Sequence, residues 1–389
     1  MSCIAAEKLA AEVHARGMRF VIAVTGGGSQ AISSLLGVGG ASRSILAAAV
    51  PYAPAALVEW LGGRPDEFCS SWTARSMAMA AYLRAQAYDP GATTCGVSCT
   101  ASLVSDRPKR GPHRAHLAYQ TATSTSAISL ELEKGRRTRG EEESLVSDLL
   151  LNCVAEACGA SSRMKLALAD SEHVHSARVL APTEQQELLR GQRHLLPLLG
   201  AIGSPPPRAI FPGAFHPLHA AHRQMVALAR EMLGCPIAYE ISMVNVDKPP
   251  LDFIEIDARV SQFAARDALW LTRAPLYAQK AELFPGATFV VGADTLARIG
   301  QARYYDGTAD MELAIATMAS RGCRFLVFGR AIDGSFRTLA NLQLPASLAA
   351  MCDDVPENRF RDEMSSTQLR RQGGHESPPA PNGVDHDDP

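Results

Sequence analysis

No C-x-x-C pair occurs among the nine cysteines of this 389-residue chain. The close pairs, Cys95/Cys99 and Cys153/Cys158, lack the ligand spacing of a structural zinc site. Scattered thiols suit a reducing compartment, so the expected location is the cytoplasm. An excess of basic charge is missing too. Thirty-eight Lys and Arg stand against 40 Asp and Glu, for a net charge of −2, which leaves no electrostatic footprint for bulk nucleic-acid binding. Nor is there a long unbroken apolar run. The stretch 45–61 is interrupted by Pro51, Pro54 and Glu59 and is too short to cross a bilayer. Neither nucleic acid nor membrane is therefore expected as a partner. Near the start, Glu7, Lys8, Glu12 and Arg16 stand among alanines, the pattern of an amphipathic helix rather than of a signal peptide. Internal repeats are absent.

What is present is an ordinary globular composition, 47% apolar and 20% charged, over a length that predicts two domains, each with its own core. In the first, Phe20-Val-Ile-Ala-Val24 is a short apolar run of buried-strand type. Thr25-Gly-Gly-Gly28 breaks it as a weak anion-loop signal, and Ser29 is placed to N-cap the next helix. The spacing predicts a helix over 73–86, strands over 96–100 and 116–121, and a long amphipathic helix over 141–158. The stretch 169–207 is polar and then proline-rich (Ser204-Pro-Pro-Pro207), which reads as a linker holding a short helix. From residue 208 onward, apolar runs at 209–211, 237–244, 288–292 and 325–330 alternate with helical patterns at 219 onward and 257–269. That alternation predicts a parallel sheet with helices on both faces, whose ligands bind beyond the C-terminal strand ends. The tail 372–389 is polar and rich in Gly, Pro and Asp, and is expected to be disordered. The fold class expected is α/β in two domains, an N-terminal α/β/α sandwich (1–168) and a C-terminal Rossmann-like parallel sheet (208–371).

The chemistry concentrates in Phe211-Pro-Gly-Ala-Phe-His-Pro-Leu-His-Ala-Ala-His222. It reads as strand end, tight turn and helix start. Gly213 would let backbone N–H groups approach a phosphate, and the helix adds its positive dipole end. His219 and His222, three apart, share one helix face. Two imidazoles there suit phosphate oxygens whose charge shifts during displacement at phosphorus. Such a reaction needs positioning and charge stabilisation rather than a protein nucleophile. Asp294 and Arg330 fall just past the ends of later predicted strands. Lys248, in Asn245-Val-Asp-Lys248-Pro-Pro, follows another strand and is a candidate for a substrate phosphate, with Arg259 on the next predicted helix.

Gly213-Ala-Phe-His-Pro-Leu-His-Ala-Ala-His222 resembles the G-x-F-x-P-x-H-x-G-H signature of the nucleotidylyltransferase superfamily, with the nicotinamide/nicotinate mononucleotide adenylyltransferases as its nearest members. Gly292-Ala-Asp-Thr295, Leu326-Val-Phe-Gly-Arg330 and Met364-Ser-Ser-Thr-Gln-Leu-Arg370 are similar, in order, to the family's G-x-D element, its later strand ending in Arg, and its I-S-S-T-x-I-R motif. The resemblance covers 208–371. It implies a nucleoside triphosphate, with ATP expected, joined to a phosphorylated small molecule with release of pyrophosphate. The expected small molecule is nicotinamide or nicotinate mononucleotide, a step of NAD biosynthesis. Catalysis would fall to His219 and His222, with Gly213, Phe215, His216 and Asp294 at the nucleotide and Arg330 beside it. Ser366, Thr367 and Arg370 would hold the β- and γ-phosphates, Lys248 and Arg259 the second substrate, and Mg²⁺ would arrive on the nucleotide. The chain departs from the pattern at Ala221, where the family has Gly, and at His216, where it has Asn or Asp.

The first half is similar to the C-terminal domain of the competence/damage-inducible family, whose active members are nicotinamide-nucleotide amidases. The likeness rests on Ala23-Val-Thr-Gly-Gly27, Gly39-Gly-Ala-Ser42, Val50-Pro-Tyr52 with Leu61-Gly62, and 73–80. Where that family has its nucleophilic serine this chain has Ala23, and the helper lysine falls at Leu57. A serine amidase needs both nucleophile and base, so amidase activity is expected to be absent. Two other readings stay open at the level of sequence: a catalytically weak nucleotide-binding sensor, and a bifunctional amidase–adenylyltransferase.

Overall fold

The computed structural model describes residues 2–106, 109–246, 248–332 and 335–361. The chain is α/β throughout and divides into two compact units. One takes the chain to Gln186 together with the segment 248–255; the other takes Glu187–Val246 and the chain from 256 onward.

The first unit carries α1 (Ser2–Ala15), β1 (Arg19–Thr25), α2 (Ser29–Leu36), β2 (Ile45–Ala49), α3 (Pro54–Leu61), α4 (Ser71–Tyr88), β3 (Thr94–Ser102), β4 (His113–Thr121), β5 (Ser124–Leu132), α5 (Arg139–Ala157) and β6 (Val174–Leu180). Its six strands run β2-β1-β3-β4-β5-β6, with β1 parallel to both neighbours and the rest antiparallel. Strand alternation sorts the core into two faces. Phe20, Ile22 and Val24 point into the large core shared with α1, α2 and α5, while Val21 and Ala23 point into small clusters beneath α3 and α4. Helix α5 begins at a capping box in which Thr138 and Glu141 satisfy each other's backbone N–H.

After α6 (Thr183–Leu189), the second unit carries β7 (Leu195–Leu199), β8 (Ala209–Pro212), α7 (Ala220–Leu233), β9 (Ala238–Ser242), α8 (Phe253–Val260, of which 253–255 count with the first unit), β10 (Ala268–Thr272), α9 (Tyr277–Leu283), β11 (Thr288–Gly292), α10 (Ala293–Ile299), α11 (Thr308–Ser320), β12 (Arg324–Phe328), the short hairpin β13 (Arg330–Ile332) and β14 (Ser335–Arg337), α12 (Ala346–Ala349) and β15 (Cys352–Asp354). Seven strands form one sheet in the order β15-β12-β11-β8-β9-β10-β7, parallel except for β7 at the edge. Ile210 faces the core beneath α9–α12, and its neighbour Phe211 faces the side of α7, so helices cover both faces. No helix among the described residues is long and apolar enough to cross a membrane.

Three expectations change. The stretch 169–207 is not a bare linker: β6 closes the first sheet and β7 edges the second. The helix expected over 257–269 starts earlier, as α8, because the Asp252 carboxylate accepts the Glu255 N–H at 3.0 Å, and residues 268–272 form a strand. Ser29 is not a cap. Gly28 takes that position, and the Glu143 carboxylate accepts the Ser29 N–H and hydroxyl at 2.6 and 2.8 Å.

A hydrogen-bonded carboxylate sets an acid limit for the first unit. Burial works against the charge of Glu172, but the Arg137 fork at 2.5 and 2.7 Å and the N–H groups of Ala169 and Glu133 outweigh it and hold the carboxyl down at about 2. A depressed folded-state value adds stability above the unfolded value, near 4.5, that is lost as pH falls towards about 2. Glu172→Gln is therefore expected to lower the melting temperature at pH 7 and to flatten its fall between pH 4.5 and 2. Thermal melts of both proteins across that range check it.

Candidate active site

The second sheet places three expected site elements beyond the C-terminal ends of adjacent parallel strands. The 213–222 turn follows β8, Asp294 follows β11, and Arg330 follows β12. His219 is the N-cap residue of α7, and His222 lies in its first turn. Their rings stack with centroids 3.7 Å apart and planes 30° from parallel. The His219 N–H donates to Nδ1 of His222 at 3.3 Å, which leaves the His222 proton on Nε2. Burial, then the neighbouring His219 and Arg330, pushes the His222 imidazole down to about 3. It is accordingly a neutral hydrogen-bond donor across the physiological range, at the positive end of a 14-residue helix.

The turn is held by residues that sequence reasoning placed elsewhere or missed. Phe215 has φ +45°, a conformation disfavoured for a bulky residue, and is 1% exposed. Its ring packs edge-on against Phe211, His222, Tyr239 and Phe263. The ring, expected at the nucleotide, packs in the core against the histidine. Gln262 clamps the backbone, donating to the Phe215 carbonyl at 3.0 Å and accepting the Leu218 N–H at 2.7 Å. Arg259, expected at the second substrate, is 8% exposed and donates to the Ala214 carbonyl at 2.9 Å, so it braces the turn. Gln262 carried no motif, and only its position one turn beyond Arg259 hinted at a shared face.

Gly213 has a different role from the one expected. Its N–H donates to the Glu240 carbonyl at 3.0 Å, which extends the strand ladder rather than facing a phosphate. A side chain there would meet the Phe215 ring at 2.6–3.0 Å. Gly213→Ala is expected to destabilise the second unit by about 1–3 kcal/mol through overpacking. Urea denaturation monitored in the full chain measures it; a change within about 0.5 kcal/mol would show that the ring yields easily.

The remaining expected residues fall as follows. His216 is half-buried and joined to Pro217 by a cis peptide bond, and Ala221 is buried. The Asp294 carboxylate folds back over Gly292, where a side chain would lie 2.6 Å from its Oδ1, and stands 3.8 Å from Arg298. Lys248, expected at a substrate phosphate, groups with the first unit and stands over the Trp72 ring, 5.7 Å from its centroid. Ser366, Thr367 and Arg370 lie outside the described residues. A cavity of about 540 Å³ opens past the ends of β9 and β10, lined by His194, Arg273, Gln279 and Glu282 among others. Arg273 is fixed there by the carbonyls of Leu188 and Leu189.

In the first unit, Ala23 and Leu57 fall in the same part of the core. Both are buried, 0% and 2% exposed, in one apolar cluster with Leu61 and Met77. The glycine loop before α2 is already occupied by an anion of the chain itself. Burial works against the Glu143 charge, but Arg139, Ser29 and the N–H groups of Gly28 and Ser29 keep its carboxyl below the usual range. The weak anion-loop signal thus corresponds to an internal carboxylate cradle.

No family model matches this chain, and no curated protein does. Solved structures similar to it include the competence/damage-inducible protein CihA from Agrobacterium tumefaciens, at 18% identity over 40% of this chain and 94% of that one, with a TM-score of 0.32. A competence-damaged protein (CinA) superfamily member from Klebsiella pneumoniae is similar at 13% identity over 40% and 99%, TM-score 0.31. Another from Escherichia coli is similar at 15% identity over 41% and 87%, TM-score 0.30.

Proposed function

We propose that the second unit is a nucleotidyltransferase that joins a nucleoside triphosphate to a phosphorylated small molecule and releases pyrophosphate. The observation that carries this reading is the His219–His222 stack. It offers a fixed, neutral N–H donor beside a helix N-terminus, with Arg330 close enough to act on it electrostatically. Donors so placed stabilise charge that builds on phosphate oxygens in the transition state without needing to reorganise. The substrate phosphate attacks the α-phosphorus, its P–O bond forms as the bond to the β-phosphate oxygen breaks, and pyrophosphate leaves. Mg²⁺ enters as part of the triphosphate substrate. The motif resemblance favours ATP and a pyridine mononucleotide. The cavity lined by His194 and Arg273 is the place we assign to the second substrate.

We read the first unit as keeping an amidase-like frame without its chemistry. The positions that the resemblance matches to nucleophile and base share one apolar cluster, yet hold alanine and leucine, and neither can attack a carbonyl or move a proton. The test is a pyrophosphate-release screen of ATP and CTP against nicotinamide mononucleotide, nicotinate mononucleotide and phosphopantetheine, with ammonia followed in parallel. Pyrophosphate without ammonia is expected. Tight nucleotide binding with no turnover of any pair would favour a sensor, and ammonia release from nicotinamide mononucleotide would restore the bifunctional reading.

A further inference from the structure

The first unit holds a cavity of about 450 Å³ lined by α1, α2 and α5, apart from the amidase-like positions. Its walls are unusual for a helix interface. Helix α2 presents Gln30, Ser33 and Ser34, with Gly37 a turn further on, and α5 presents Ser144, Ser147 and Asp148, with Leu151 a turn further on. Both sets follow the i, i+3, i+4, i+7 spacing of a single helix face. Such faces normally carry the apolar residues that zip helices together, as Ala31 and Leu35 of α2 and Leu145, Val146 and Leu149 of α5 do in the adjoining core. Here two polar stripes line open space instead.

Two groups in this cavity lack partners. Ser147 is 4% exposed, and its Oγ makes no hydrogen bond. A buried hydroxyl left unpaired is destabilising, and a ligand atom bonded to it would recover that cost. Asp148 lies one residue on, half-buried, and burial alone pushes its carboxyl up. Glu7 of α1 is the other ionisable group in the lining, which contains no lysine, arginine or histidine among the described residues. The ionisable side chains of the lining are therefore both acidic. Its polar groups spread over more than one turn of two helices, about 5 Å per turn, a span that fits an extended organic ion better than a point ion.

We propose that this cavity binds a small aliphatic amine or guanidinium cation, with Asp148 facing its charge and the Ser147 hydroxyl bonding to it. Leu151 and Ala6 supply an apolar wall for its methylene chain. The site is independent of nucleotidyl transfer in the second unit.

The full-length protein can be titrated calorimetrically with 1,4-diaminobutane and agmatine, and in parallel with uncharged 1,4-butanediol and anionic glutarate. The two cations are expected to bind with dissociation constants of about 1 mM or tighter, and the other two not to bind. Asp148→Asn is expected to weaken the cations by about tenfold or more, a loss of about 1.4 kcal/mol. Ser147→Ala, which keeps helix propensity, is expected to weaken them by about threefold and so reports independently of the charge. No heat from either cation at about 10 mM, undiminished binding by both variants, or butanediol binding as tightly as the diamine would each overturn the assignment.

Discussion

Replacing His222 with alanine is expected to slow pyrophosphate release by about 10²- to 10³-fold while leaving the second unit folded. The size follows from what the side chain offers. Its Nδ1 is taken by the His219 N–H, so Nε2–H is the end left to face a phosphate oxygen. The stack with His219 and the edge contacts to Phe211 and Phe215 fix its direction before substrate arrives. His222→Gln separates donor from ring. A glutamine amide reaches about as far as Nε2 and still donates, so that variant should keep more activity than alanine, with the loss in kcat rather than KM. Protonation gives a second readout. Because burial holds the imidazole down at about 3, His222 itself should leave kcat flat between pH 5 and 8. The linkage has a definite sign. Between about 3 and the ordinary value of 6.5, the unfolded chain binds a proton that the folded chain does not. The histidine therefore adds stability above pH 6.5 that is lost as pH falls towards 3, and His222→Gln should remove that part of the acid sensitivity. Pyrophosphate release that survives loss of both His219 and His222 would end the proposed mechanism.

The turn was readable because its information is local. A buried strand, glycine, proline and two histidines at helical spacing lie within twelve residues, and the structure gives them the expected strand end and helix start. What could not be read depends on partners distant in sequence. Glu143 fills the glycine loop from 114 residues away, so a loop that looks open to anions is closed by one. Phe215 is placed at the nucleotide by the motif alone, which does not say where its ring packs. Only the rings of Tyr239 and Phe263 decide for core. Strand β7, Leu195-Leu-Pro-Leu-Leu199, hid in an apparent linker because it contains a proline, which is tolerated where the strand edges a sheet. Strand β6 hid because its outward residues are polar and its pattern is weak. The early start of α8 was legible in principle, since Asp252 stands three residues before Glu255 at the head of an apolar run.

The same segment gives the largest stability effect we expect. Arg75→Ala should destabilise the first unit by about 3–5 kcal/mol. Arg75 is 8% exposed in α4 and donates from Nη1 to both oxygens of Asp252 at 2.6 Å and from Nη2 to Glu255 at 3.3 Å. The two carboxylates are themselves nearly buried, with side chains 6% and 5% exposed. Burial alone would lower the arginine's proton affinity, but the paired carboxylates outweigh it and raise it. Truncation removes the cation and leaves both negative charges without their guanidinium, which costs more than the intact network contributes. Neutralising all three groups should therefore recover much of the loss. Arg75→Met combined with Asp252→Asn and Glu255→Gln is expected to lie closer to the wild type than Arg75→Ala, because asparagine at 252 can still accept the Glu255 N–H. Arg75→Lys should fall between them, since it keeps the charge but loses the fork. Urea midpoints at constant slope provide the measurement. A single-alanine loss below about 1 kcal/mol would mean that water reaches the carboxylates. The segment that carries the two carboxylates also holds Lys248. Pro249 and Pro250 restrict the chain after it, and Phe253 is fully buried with its N–H donated to Thr125 at 3.0 Å. Lys248, at the head of this segment, stands over the Trp72 ring at 5.7 Å from its centroid.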